Sequence, residues 1–206
     1  MSEKLGPDAT RLGPNFLKAL AWVSDLHGEQ ARKGKPDVPY VSHLIAVASL
    51  VLEDGGTEDE AIAALLHDAV EDQGTRPAEL AEQFGETVAR IVEHCTDDLE
   101  NDRLEGTKSR GADNWKARKE AYLARLEHAD AASLRVSAAD KLHNARAIVA
   151  DLRRQGRSAL DVFNAPPSEV VWYYRSLDAV FARRLPGLLS SELTAAVREL
   201  VDLAGP

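Results

Sequence analysis

The sequence predicts an all-α fold, a single bundle of about eight to ten helices. Three observations carry this reading. Strand signals are nearly absent: aromatic residues make up 5% of the chain, and no long segment alternates with period two. Apolar residues instead recur at spacings of three and four, the repeat of one helical face. Breakers fall between these periodic stretches, at Gly34, Pro36 and Pro39, at Gly55-Gly56, at Gly74 and at Gly85.

Phe16, Leu17, Leu20, Ala21, Val23 and Leu26 define a first helix over about 15–32. A second runs from about 42 through 51 and stops at Gly55-Gly56. Thr57 with Glu60 three residues later forms a capping box, which opens a third helix over 58–72 that ends at Gly74. Pro77 starts a short helix over 77–83, closed by Phe84-Gly85, and another follows over about 87–97. Residues 98–113 are rich in charge, Gly and Ser, which predicts a mobile loop. Helices resume over about 114–127 and 130–151, then, after a Gly/Arg/Asn/Pro connection, over 167–184 and 190–203. The last two read as a flap or buttress on the same core.

The 206 residues fit one domain. A net charge of −9 opposes sequence-independent binding of DNA or RNA, so no nucleic acid partner is expected. The same charge opposes an anionic substrate, unless a metal and a local basic cluster reverse the field. Cys95 is the single cysteine, which excludes an internal disulfide and predicts a reducing, cytoplasmic setting. The first residues carry no apolar stretch of signal-peptide type, and no run approaches a membrane span, so no membrane partner is expected.

The apolar helix at 61–72, AIAALLHDAVED, ends in His67, Asp68, Glu71 and Asp72. Burying such groups unpaired is costly, so a metal ion makes sense of them. His67 and Glu71 are four apart, as are Asp68 and Asp72, which on one helix stacks each pair on a common face. His43 opens the second helix, and Asp140 sits in SAADKLHNARAIV with Asn144 one turn later. Two neutral imidazoles and two carboxylates, His43, His67, Asp68 and Asp140, suit a divalent ion of intermediate softness: Mn²⁺, with Fe²⁺ or Zn²⁺ as alternatives.

In this order the four ligands resemble the signature of the HD phosphohydrolase superfamily. The surroundings narrow the resemblance to RelA/SpoT-type alarmone hydrolases. HGEQARKGKPDVPYVSH at 27–43 is similar to their opening, a His, a Gln and a basic pair followed by Pro-Tyr-x-x-His. AALLHDAVED at 63–72, FGETVARIVEHCTDD at 84–98 and AADKLHNARAI at 138–148 resemble their later elements, and Thr96 and Asp97 fall in the Thr segment. The likeness covers about 15–150 and extends weakly into 167–184. It implies an HD-domain helical bundle, with an HD hydrolase domain over 15–185 and a C-terminal helix over 186–206 packed on the same domain. The chain has no room for a synthetase domain, so a stand-alone hydrolase is implied.

The resemblance further implies removal of the 3′-pyrophosphate from guanosine tetra- or pentaphosphate. His43, His67, Asp68 and Asp140 would hold Mn²⁺, and Glu71 and Asp72 would position and activate the attacking water. Arg32 and Lys33 match the family's basic pair near the substrate, and Asn144 matches a position that contacts the nucleoside. Lys141 could meet phosphate or pair with a carboxylate. Tyr173, within the aromatic run 172–174, matches a Tyr that stacks near the nucleoside. Arg118 and Lys119 read as a solvated face. Three departures stand out: Gly28-Glu29, which place a carboxylate within the basic opening, His143 at the variable position of the Asp-Lys-Leu-x-Asn element, and the 98–113 loop, which follows no family pattern. Alternatives are a broader HD-type phosphatase of nucleotides or dinucleotides, and a non-catalytic alarmone-binding HD regulatory module. The expected partner is a phosphorylated nucleotide, and assembly into a homo-oligomer is left open.

Overall fold

The computed structural model describes residues 4–6, 9–96 and 115–205. Asp97 and the 98–113 loop lie outside the described residues. The helices are α1 (Pro14–Leu26), α2 (Val41–Glu53), α3 (Glu58–Leu66), α4 (Ala69–Gln73), α5 (Pro77–Phe84) and α6 (Glu86–Cys95). After the gap follow α7 (Trp115–Leu126), α8 (Ala131–Gln155), the 3-10 helix η1 (Gly156–Val162), α9 (Pro167–Arg184) and α10 (Leu188–Ala204). Two short strands, β1 (Ala31–Arg32) and β2 (Lys35–Pro39), pair antiparallel between α1 and α2. The fold is all-α apart from this hairpin.

α3 is the axis of the core. Every residue from Glu60 to Leu66 is buried, as expected of a helix that is apolar all round and packed on all sides. It lies against α1, α2, α6 and α8. Its start is the capping box read from sequence: Thr57 Oγ1 accepts from the Glu60 amide at 3.3 Å, and Glu60 accepts from the Thr57 amide at 2.6 Å. The second Glu60 oxygen pairs with Arg135 of α8, and Arg135 Nε donates to Asp54 at 3.0 Å. Glu60 is only 4% exposed, so Arg135 neutralises a carboxylate that water cannot reach. Arg135→Ala is expected to lower stability by about 3 kcal/mol, because it leaves Glu60 buried and unpaired. Urea denaturation would read this as a lower midpoint at unchanged slope.

α8 is the second organising element. Its 25 residues span roughly 38 Å and lie against α2, α3, α6, α9 and α10. Asp130 caps it by accepting from the Ser133 amide at 3.0 Å. α10 packs along α8 and α9. No helix of the described residues is long and apolar enough to cross a membrane.

The structure corrects the sequence in three places. The helix read over 15–32 stops at Leu26, and residues 31–39 form the hairpin. Gly34 turns it at φ 72°, Pro36 and Pro39 forbid helix, and the Tyr40 amide closes it on the Gln30 carbonyl at 2.8 Å. The helix read over 58–72 is broken at His67-Asp68. Asp68 takes φ −99° and ψ 0°, and its side chain turns to Tyr40 and His67 instead of capping α4. α4 then ends at Gly74, whose left-handed φ of 68° lets two amides fold back onto the carbonyls of Val70 and Ala69. The third correction is that α8 runs to Gln155, beyond residue 151, and the connection after it carries η1.

Candidate metal centre and adjoining pocket

Three elements converge on one point. His43 stands in the first turn of α2, His67 directly after α3, and Asp140 midway along α8, all three buried. One ligand atom from each lies within 4.8 Å of the other two. His43 Nε2 is 3.2 Å from Asp140 Oδ1, and His67 Nε2 is 3.7 Å from the same oxygen. Asp68 Oδ2 reaches His67 Nε2 at 3.0 Å and His43 Nε2 at 3.8 Å, and also accepts from the Tyr40 phenol. The break between α3 and α4 produces this arrangement, since it sets His67 and Asp68 at the end of the buried helix.

The donor set fits a divalent cation. His67 Nδ1 donates to the Ala64 carbonyl at 2.8 Å, so Nε2 is the nitrogen aimed at the centre, and its lone pair is free for a cation once the Nε2 proton is displaced. That Nε2 is buried and makes no hydrogen bond among the described residues. Burial would lower the His67 pKa, but the carboxylates of Asp68 and Asp140 outweigh it and raise it well above the usual imidazole value. Burial dominates at His43 and lowers its pKa. Both carboxyl groups stay ionised despite burial: Lys141 and the two imidazoles hold Asp140 far below the usual range, and His67 does the same for Asp68. Two buried carboxylates facing two imidazoles make a site that demands positive charge.

Around these ligands lies a further ring of contacts. His43 Nδ1 meets His143 Nδ1 at 2.7 Å, and burial together with the neighbouring His43 pushes the His143 pKa down to about 4. A neutral His143 can accept from His43 Nδ1–H and so turn the His43 Nε2 lone pair inward. Position 143, variable in the resemblance, is therefore part of the centre. Asn144 Nδ2 donates to Asp140 Oδ1 at 2.5 Å, and Lys141 Nζ lies 2.7 Å from Asp140 Oδ2.

Glu71 and Asp72 are half-buried on α4, immediately past the break. Gln30 Nε2 donates to Asp72 Oδ2 at 2.7 Å, and the side-chain Gln30 Oε1 is engaged by His27 Nδ1 and Gln73 Nε2, each at 2.7 Å. His27 itself is 1% exposed and stacks on Tyr40 at 5.4 Å. The opening segment of the chain thus grips both Asp68, through Tyr40, and Asp72, through Gln30. The sequence reading placed His27, Gln30 and Tyr40 in the motif but assigned them no duty. Their spacing ahead of His43 was the available signal.

A cavity of about 290 Å³ opens beside the centre. Its wall carries Arg32, Lys33, Lys35, Lys119 and Lys141, a strong basic concentration for a chain of net charge −9. Arg32 Nη2 donates to Asn144 Oδ1 at 2.9 Å, so a single chain of hydrogen bonds runs from the cavity through Asn144 to Asp140. Burial and nearby Lys119 lower the Lys33 pKa, a sign of cations held close together. Tyr173 and Tyr174 both face the cavity, with Trp115 packed on Tyr173 at 5.8 Å. Lys119 corrects the sequence: the solvated face expected there is instead cavity wall, with Nζ 4.9 Å from the Tyr173 ring centre, because α7 packs on α9. Thr96 is buried at the end of α6, where its hydroxyl donates to the Val92 carbonyl at 3.0 Å and its own carbonyl accepts from Arg125.

Comparisons with known proteins agree with this architecture. A family model described as HD domain matches residues 19–165. Guanosine-3′,5′-bis(diphosphate) 3′-pyrophosphohydrolase MESH1 of Xenopus tropicalis is 35% identical over 141 residues, covering 68% of this chain and 70% of its own. MESH1 of Homo sapiens is 34% identical over 144 residues, covering 69% and 72%. The solved structure of a metazoan ortholog of SpoT shares the fold, with a TM-score of 0.71 at 22% identity over 93% of this chain and 98% of that one. The matched segment contains His43, His67, Asp68 and Asp140, and the chain belongs to the HD domain family.

Proposed function

We propose that this protein hydrolyses guanosine 3′,5′-bis(diphosphate) and related alarmones, releasing the 3′-pyrophosphate and leaving the 5′-diphosphate. The observation that carries the reading is the junction of two opposite fields. An acidic centre of two imidazoles and two carboxylates adjoins a cavity lined by Arg32, Lys33, Lys35, Lys119 and Lys141. A cation fits the first and a polyphosphate the second. The names and the shared length of the MESH1 relatives support the same reaction.

Mn²⁺ held by His43, His67, Asp68 and Asp140 would supply Lewis-acid activation of water and neutralise phosphate charge. The chain's own groups do the rest. Arg32, Lys33, Lys119 and Lys141 bind phosphate oxygens, Arg32 through its planar fork and the lysines as point charges. Glu71 accepts the proton of the attacking water, and Asp72, held by Gln30, fixes that water in line with the scissile bond. The water oxygen bonds to the inner phosphorus of the 3′-pyrophosphate. The bond from that phosphorus to the 3′-oxygen breaks, and the 3′-oxygen is protonated. Asn144 and Tyr173 bear on the nucleoside, and Lys141 links Asp140 to the cavity.

The test is product analysis with Mn²⁺ and guanosine 3′,5′-bis(diphosphate). Pyrophosphate and GDP are expected in equal amounts. A chelator is expected to abolish release and Mn²⁺ to restore it, while Fe²⁺ and Zn²⁺ rank the metals. Inorganic phosphate in place of pyrophosphate would overturn the assignment in favour of a broader phosphatase of nucleotides or dinucleotides. Tight binding of the alarmone with no turnover would instead indicate a regulatory module.

A further inference from the structure

The basic cavity has one feature that phosphate binding does not use. Asp151 is the single carboxylate among its described lining residues. It sits on the same face of α8 as Asp140, Asn144 and Ile148, close to one helical turn apart in each step. Eleven residues place it about 16 Å along the axis from Asp140 and only about 20° around it. α8 therefore acts as a ruler, with the metal centre at Asp140 and Asp151 three turns away at the far end of the cavity. Beside it the cavity wall carries the apolar residues Ile148, Ala159, Val162 and Phe163 together with Lys35 and Lys33, the latter 5.3 Å from the Phe163 ring centre.

Lys35 Nζ lies 2.9 Å from Asp151 Oδ2, and Arg154 pairs with Oδ1. These cations outweigh partial burial and hold the carboxyl below the usual range, so it presents acceptors only. A carboxylate oxygen has two acceptor directions, so each oxygen can take one more donor beside its cation. A slot with aromatic and aliphatic walls that ends in a fixed double acceptor has a specific complement. Among the common nucleobases, guanine carries two adjacent donors on its Watson–Crick edge, N1–H and the exocyclic amine. Adenine offers one donor beside an acceptor nitrogen, which would face the carboxylate with lone pair against lone pair.

We propose that Asp151 determines base specificity: its carboxylate accepts from guanine N1–H and the C2 amine, while the 3′-pyrophosphate lies at the centre built on Asp140. This rests on the pyrophosphohydrolase reading and names the residue that selects its nucleoside. Lys35 and Arg154 are positioning residues here, since they fix the carboxylate's orientation without meeting the base.

The test compares wild type with Asp151→Asn on the 3′,5′-bis(diphosphates) of guanosine, xanthosine, inosine and adenosine. Turnover is followed with Mn²⁺, and equilibrium binding is measured on the metal-free protein. Wild type is expected to favour guanosine over xanthosine and adenosine by a factor of about ten to a hundred. Inosine, which lacks the amine, should fall between. Asp151→Asn replaces an acceptor by a donor and is expected to reverse the order of guanosine and xanthosine, whose C2 bears a carbonyl. A ratio changed by less than about twofold, or an equal loss for all four bases, overturns the proposal and leaves Asp151 as a mere partner of Lys35. Reversal in binding without pyrophosphate release upholds Asp151 and overturns the hydrolase reading. Pyrophosphate release with an unchanged base order does the opposite. A wild type that neither binds nor cleaves the guanosine compound overturns both.

Discussion

Asp140→Ala is expected to lose divalent-metal binding and, with it, hydrolysis. Removing a partner that merely orients a metal ligand costs about ten- to a hundredfold in affinity. Asp140 is placed to ligate directly and stands 3.2 and 3.7 Å from both imidazoles, so a loss beyond a hundredfold is expected. The same carboxylate receives Asn144 and Lys141, so the variant also releases the chain of contacts that ties the cavity to the centre. Asp140→Asn separates the two effects in part, because it keeps volume and one acceptor oxygen, enough for Asn144, while removing charge and the acceptor for Lys141. Titration calorimetry with Mn²⁺ reads the affinity. Thermal unfolding provides a second readout: saturation at a hundred times Kd stabilises the wild type by about 2.7 kcal/mol, and neither variant should respond. A wild-type-sized shift in Asp140→Ala would remove Asp140 from the ligand set.

Glu71→Gln is expected to separate binding from chemistry. Gln is isosteric with Glu and cannot take a proton, so kcat should fall by about 10² to 10⁴ while metal affinity and KM change little. Glu71 follows the α3–α4 break by three residues on a short helix of its own, so the substitution leaves the buried core of α3 untouched. Gln30→Ala is expected to cost less, since it loosens Asp72, His27 and Gln73 but removes no group that touches the reacting atoms. Unchanged kcat in Glu71→Gln would eliminate it as proton acceptor and shift that duty to Asp72.

Most of the fold could be read from periodicity and punctuation. The capping box at Thr57 and Glu60, the stop at Gly74 and the proline start of α5 are local signals, and the structure places them as expected. Candidate ligands were equally visible, because His43, His67 and Asp140 interrupt apolar faces where an unpartnered polar group is costly. Asp68 and His67 were read on one continuous helix, and there the local argument failed. The pull of Tyr40, 28 residues away, and of the converging imidazoles outweighs one more turn of helix at Asp68. Lys119 was misread for a similar reason. Charge periodicity on α7 shows which residues share a face, but only the packing of α7 on α9 shows what that face looks into.

Residue order and local physical chemistry were thus sufficient for the helical class, for picking out the candidate ligands and for the family. Those depend on propensity, capping and burial cost, each set within a turn or two of chain. Tertiary packing alone decided which groups touch: His143 on His43 across 100 residues, Gln30 on Asp72 across 42, and Asp151 facing the same cavity as Lys33 and Phe163. Contacts of this kind depend on how helices lie against one another, which no local pattern encodes, and in this protein they set the candidate metal centre beside a basic cavity.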